Sequence, residues 1–371
     1  MTSVKHARVS LLTVGAFCCC ACGSAAPEQG EGKRAADTSI ASAPVEPRCA
    51  PSREHFTDLG SLDPVQDVSV GMALNDRGTV VGYSYAPISP SEPTVHVFRW
   101  TPDTGMMDLG GGIFPTGVKD QDEIVGNSAK SGGLMQAVLW DAENGFHELG
   151  TLGGWDSYVR SINNRGQVVG EARDATQKRR PFIWEAKTGM VALEMPETDT
   201  VELNDINDFG IVVGSWSRSG NAAVPFKWTK EDGAVELDRL GSWGGSAFSI
   251  NNNGEIVGFV MIDNVPVGVK WTACGAVRVP PPACVVDALP RAINDQGVMV
   301  GDNSIHPWQL PPYSTTYTAV RWDPTLEASV IPLQASSSTA EKVNNCGDVT
   351  GSRFMENKPH AYLWHPERAA Q

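Results

Sequence analysis

Apolar residues in this chain fall in short runs bounded by Asn, Asp and Gly, and one such run returns again and again in the same polar frame. The text Asn-x-x-Gly-x-x-x-Gly appears as NDRGTVVG (75–82), NNRGQVVG (163–170), NDFGIVVG (207–214), NNNGEIVG (251–258), NDQGVMVG (294–301) and NNCGDVTG (344–351). A worn copy, KDQDEIVG (119–126), carries Asp122 where the others have Gly. Each copy precedes a strand-like segment ending in tryptophan: Trp100, Trp140, Trp184, Trp228, Trp271, Trp322 and Trp364. Most then show a Gly-containing turn and a segment such as MMDLG, FHELG or AVELD.

The pattern predicts four short strands per unit. Strand A precedes the Asn, strand B is the Val-Val-Gly run, strand C carries the Trp, and strand D is the last segment. Asn and Asp tolerate left-handed backbone angles and bond their own backbone, and Gly supplies positive φ where a short loop closes. These residues are therefore read as turn chemistry; they lack the dense carboxylate spacing of a calcium loop. Seven units of about 44 residues predict an all-β, seven-bladed β-propeller. The first unit is preceded by a lone D-type segment, HFTDLG (55–60), and the last ends after its C strand. The N-terminal strand is expected to complete the last blade and so close the ring, leaving no bare edge there.

The first residues change the picture of where the chain works. Lys5 and Arg8 precede an apolar run from Val9 to Ala21, too short to span a bilayer and typical of an export signal. Cys22 follows the small Ala21 and is the expected lipidated residue of a lipoprotein signal (1–22), with plain secretion as the alternative. Gly23 then stands where many inner-membrane lipoproteins carry Asp, favouring an outer membrane or cell surface. Residues 23–54, rich in Ala, Pro, Ser and Gly, read as a disordered tether, and 55–371 as the propeller. The formal charge is −14, and losing a leader with two cations makes it more acidic. That disfavours nucleic acid and anionic lipid as partners. The membrane is then reached only through the lipid, and a monomer is expected.

Export permits disulfides. Cys274 and Cys284 flank the C–D turn of one unit and are expected to pair. Ring closure brings Cys49 and Cys346 into one blade, where a bond would lock the ring, by up to about 4–5 kcal/mol on the chain-entropy account. Among these four cysteines no Cys-x-x-Cys spacing points to metal.

The stretch ELGTLGGWDSYVRSINNRGQVVGEAR (148–173) resembles the HAF-type extracellular repeats of bacteria, as do HAYLW (360–364) and HVFRW (96–100). The resemblance covers nearly all of 55–366. It implies an exported, repeat-built propeller, and brings no established activity or catalytic residues.

Residues that repeat in every unit are explained by folding; those that differ are free to serve a site. The B–C segments differ, and two are long: from Gly82 to Trp100 and from Gly301 to Trp322. Their loops are expected to flank a cleft over the seventh blade, with Trp308, Tyr313 and Tyr317 as aromatic contacts. The D–A loops add Trp155, Asp156 and Tyr158 in one blade and Trp243 and Phe248 in another, an aromatic-plus-carboxylate pairing suited to a sugar. Enzyme signatures are missing: no G-x-S-x-G, H-E-x-x-H, P-loop or dinucleotide fingerprint. No cofactor or metal is expected, and His147, His306 and His365 have no ligand spacing. The reading is a surface module that binds glycan or protein. A propeller glycosidase or lyase, whose carboxylates need meet only in space, and a structural envelope component are the alternatives.

Overall fold

The computed structural model describes residues 55–367, apart from 90–91, 219, 284, 286, 304–316 and 357. Seven antiparallel sheets make seven blades. In blade four, strand A is Thr200–Ile206, B Val212–Ser217, C Val224–Thr229 and D Gly233–Glu236, paired in that order. The other blades repeat it. Strand A of each blade touches strand A of the next, and the contact closes from Lys342–Val343 in blade seven to Ser69–Leu74 in blade one. The A strands thus surround the axis and the D strands form the rim. The N-terminal strand His55–Asp58 lies antiparallel on Lys358–His365, with Phe56 opposite Trp364, and completes blade seven as expected.

The Val-Val-Gly text follows from this stacking. Both apolar residues of the run are fully buried in almost every copy, as with Val80 and Val81 or Val212 and Val213. Strand B lies mid-blade with a neighbouring blade on each side, so its side chains meet apolar surface on both faces and the pattern is a run instead of an alternation. Val169 and Leu193 of blade three, for example, pack on Leu203, Ile206, Val212 and Phe226 of blade four. The strand-C tryptophans line these seams, and Trp271 and Trp322 also donate Nε1–H to the carbonyls of Asp238 and Pro280.

The two glycines of the motif have different reasons. Gly78, Gly166, Gly210, Gly254, Gly297 and Gly347 all sit at φ between 76° and 78°, the left-handed angle the A–B turn needs. The second glycine has an ordinary φ but no room. A Cβ on Gly214 would lie 2.0 Å from the carbonyl oxygen of Glu202 in strand A. Strand A shifts register there, between Leu203 and Asp205, and the bulge drives its backbone against strand B.

One sequence expectation is corrected here. The long segment after Gly82 is no free loop: Val80–Ser89 and Glu92–Thr101 pair along their length, from Val80 opposite Trp100 to Ser89 opposite Glu92. The additional residues lengthen both strands into a ribbon, because Val95 and Val97 continue the ladder. The other long segment, with Trp308 and Tyr313, falls outside the described residues, as do Cys22, Cys49, Cys284 and His306.

Candidate functional site

The two faces of the ring are built differently. At the A–B face, the motif asparagines form a belt from blade to blade. Asn207 Oδ1 accepts from the N–H groups of Phe209 and Ile211, closing its own turn, while its Nδ2 donates to the carbonyl of Asn251 in the next blade. Asn163, Asn251, Asn294 and Asn344 repeat the donation, the last reaching Asn75 across the ring closure. Turn chemistry, as expected from the sequence, is half of what these residues do; the other half fastens blades together. Blade two, the worn copy, has Lys119 at this position and lacks the amide. At its other interface, where Asn75 still donates to the Lys119 carbonyl, Asp122 at φ 65° receives hydrogen bonds from Asn75, Thr79 and Arg99 of blade one.

A second belt lies beside the first. The residue after each asparagine, and after Lys119 in blade two, takes the backbone N–H of the preceding blade on its Oδ1, in all seven interfaces: Asp120, Asn164, Asp208, Asn252, Asp295, Asn345 and Asp76. Asp and Asn alternate, and Asn252 and Asn345 each give Nδ2–H to an aspartate on either side. Seven is odd, so alternation must fail once. It fails at Asp76 and Asp120, the one place where two carboxylates are neighbours. Burial, with the charge of Asp120 adding to it, pushes the Asp76 carboxyl up to about 6, and burial with the charges of Asp208 and Asp122 pushes Asp120 up. These belts surround a pocket of about 160 Å³ at one mouth of the channel, above a collar of Leu74, Val118, Ile162, Ile206, Ile250, Ile293 and Val343. Most of the polar lining groups take part in blade-to-blade hydrogen bonds, so this mouth fastens the ring.

An acid whose folded pKa is raised stabilises the fold below its unfolded value, and that contribution is lost as pH rises through the folded value. The neutral-pH protein therefore carries a strain that acidification from about 6 towards 4 relieves. Asp120→Asn keeps an acceptor for the Asp76 N–H and turns an amide towards the Asp76 carboxylate. It is expected to raise stability at pH 8 by about 1 kcal/mol, allowing for screening, with the gain shrinking at pH 5. Thermal melts at the two pH values check this, and an equal gain at both would assign the effect to something other than charge.

The opposite face, with the B–C and D–A loops, is where blades differ. In blade three, strand A (Gly153–Ile162) carries near its start Trp155, a residue 52% exposed. Asp156 beside it is buried, and its Oδ2 takes Arg173 Nε at 3.2 Å and Arg179 Nη2 at 3.5 Å. Arg173 stacks over the Trp155 ring and Arg179 over the Tyr158 ring, 5.8 and 4.6 Å from their centres. The sequence grouped Trp155, Asp156 and Tyr158 but missed the arginines that join them, which lie in the neighbouring strands B and C. The signal was present in the basic run QKRR (177–180). Asp156 is held by these guanidiniums, so it does not stand open as the hydroxyl acceptor the sequence suggested.

In blade five, Trp243 is 53% exposed and borders a pocket of about 250 Å³ with Leu240, Met261 and Ile262. Phe248 packs on Phe259, centres 5.3 Å apart. Tyr317 is tied into blade seven through Ser337 and Ser338 and lies 6.4 Å from the Phe354 ring. Trp155 and Trp243 head blades three and five and are separated by blade four, so the structure gathers one aromatic set per blade and does not bring the two into one group.

No family model matches the chain, and no curated protein matches it. Among solved structures it is similar to streptogramin B lyase, with TM-score 0.56 and 11% identity over 84% of this chain and 97% of that one. It is similar also to the β-propeller domain of the Trilobed protease from Pyrococcus furiosus, with TM-score 0.55 and 10% identity over 80% and 95%. The likeness is one of fold. That protease propeller is described as an open velcro topology, whereas this ring is closed by its N-terminal strand. A puromycin-hydrolyzing peptidase of Mycobacterium tuberculosis matches over 86% of this chain but only 52% of its own, with TM-score 0.55 and 10% identity.

A further group of acids lies between blades six and seven. Arg291 pairs with Asp302 at 3.1 Å, and burial together with the Asp302 charge pushes the Glu341 carboxyl up. Tyr362, fully buried, donates its hydroxyl proton to the Thr339 carbonyl.

Proposed function

We propose that this propeller is an exported HAF-type repeat protein, anchored by a lipid on Cys22 and a tether over 23–54, that binds extracellular glycan or protein through its B–C and D–A face. One observation carries the reading: the half-exposed tryptophans Trp155 and Trp243 stand on that face, whereas the A–B face is consumed by blade-to-blade hydrogen bonds. Aromatic rings presented on rigid strand ends supply contact area at low entropic cost. The proposal includes a monomer and the disulfides Cys49–Cys346 and Cys274–Cys284, which thiol alkylation of the exported chain before and after reduction tests.

The binding test is a screen of the purified chain against extracellular polysaccharides, with bound ligand recovered and sized. Intact ligand, released by Trp155→Ala or Trp243→Ala in a protein of unchanged melting temperature, is the expected result. Loss on neither substitution would remove this face from the reading. A second reading, hydrolysis or lyase chemistry, has acid candidates in Glu341 and Asp302 between blades six and seven, with the Asp302 side chain buried and paired to Arg291. Shortened ligand, abolished by Glu341→Gln, would establish it over simple binding.

A further inference from the structure

The arginine pair of blade three has no counterpart in the other blades whose pair at this position is described. Arg173 and Arg179 face each other directly across strands B and C. The same register position is Tyr85 with Val95 in blade one, Ala129 with Met135 in blade two, Met261 with Pro266 in blade five and Phe354 with Pro359 in blade seven. Folding needs no charge there. Like charges directly opposite in a sheet are destabilising, and here two guanidiniums share a single carboxylate oxygen, Asp156 Oδ2; Asp156 Oδ1 is buried and takes no hydrogen bond. The arginine side chains are 32% and 40% exposed. Lys178 is exposed between them in sequence. At this rim Arg173, Lys178, Arg179 and Arg180 stand against Asp156 and Asp174, in a chain with 29 Lys and Arg against 43 Asp and Glu overall. An acidic protein has thus concentrated positive charge at one rim, beside its exposed Trp155.

We propose that this rim binds a uronic acid residue of an acidic polysaccharide. The assignment rests on the glycan-binding reading above and names its ligand class. The guanidiniums supply charge-assisted hydrogen bonds to the ring carboxylate. Trp155 covers the apolar face of the pyranose, which selects a sugar over an acidic peptide or a bare anion. Their stacking on Trp155 and Tyr158 holds the guanidiniums in place before the ligand arrives.

The test is calorimetric titration of the purified chain with tetragalacturonate and with its methyl ester, which keeps the rings and removes the charge. The acid is expected to bind at least tenfold more tightly than the ester, and Arg179→Gln to bring that ratio down towards one. Trp155→Ala is expected to weaken both. Melting curves of each variant confirm the fold. Equal binding of acid and ester would overturn the uronate assignment while leaving a neutral-glycan module standing. Binding of a sulfated glycan that depends on Arg179, with none of tetragalacturonate, would overturn it in favour of sulfate. Binding of neither acid nor ester by the folded protein would also overturn it, while the polysaccharide screen decides separately whether the protein is a glycan binder.

Discussion

Gly214→Ala is expected to destabilise the ring by about 3 kcal/mol or more, an overpacking cost at the upper end because nothing nearby can give way. The methyl group would enter the Glu202 carbonyl oxygen, and the next nearest atoms are also backbone, the Glu202 carbonyl carbon and Leu203 Cα. Relief would require strand A to leave strand B at the bulge, and strand A is the wall of the channel. The first glycine of the same motif makes the contrast. Gly210 meets only the end of the Gln167 side chain, so a residue that tolerates its φ of 78°, such as Asn, is accommodated. Urea unfolding of Gly214→Asn and Gly210→Asn separates the two causes. Comparable losses at both positions would mean that crowding is not what the second glycine answers.

Asn207→Ala is expected to cost about 3–4 kcal/mol. It removes the acceptor of two backbone N–H groups and the donor to the Asn251 carbonyl, at a residue only 4% exposed, so the groups left behind are not rescued by water. Asn207→Asp keeps the turn acceptor and loses the donor. Its loss measures the blade-to-blade half of the belt by difference, to be read by denaturant titration at neutral pH. A cost below about 1 kcal/mol for the alanine would show that the turn holds itself and that the belt contributes little. Lys119 shows that the interface of blades two and three does without the amide, while Asp122 adds an ion pair with Arg99 and hydrogen bonds from Asn75 and Thr79 at the other interface of blade two, where the Asn75 amide is in place.

The repeat made the architecture legible from the chain alone. Period, turn residues and the lone N-terminal strand gave blade number, strand order and ring closure, because each depends on local pattern and on the count of strands. The same repetition concealed the reasons for its own residues. The second glycine reads only as part of the strand B run; its cause is a backbone approach from another strand, which no local rule contains. The asparagines likewise read as turns, since their partners lie a whole blade away. Parity belongs here too: Asp76 and Asp120 are unremarkable 44 residues apart, and become neighbouring charges only when the blades stand round an axis.

At the candidate site the sequence identified the aromatics by their departure from the repeat but misjudged their company. Trp155, Asp156 and Tyr158 are consecutive enough in one strand to be grouped by reading. Arg173 and Arg179 reach them from strands B and C, and whether Asp156 faces a ligand or a guanidinium depends on register, which pairing decides. The segment after Gly82 was taken for a loop on length, yet cross-strand partners for its added residues made it a ribbon. Fold, blade count and closure thus follow from the order of residues, since they express short-range pattern repeated. Which glycines are crowded, which carboxylates are strained and which arginines meet a tryptophan follow from distances between strands, and those exist only once the ring has formed.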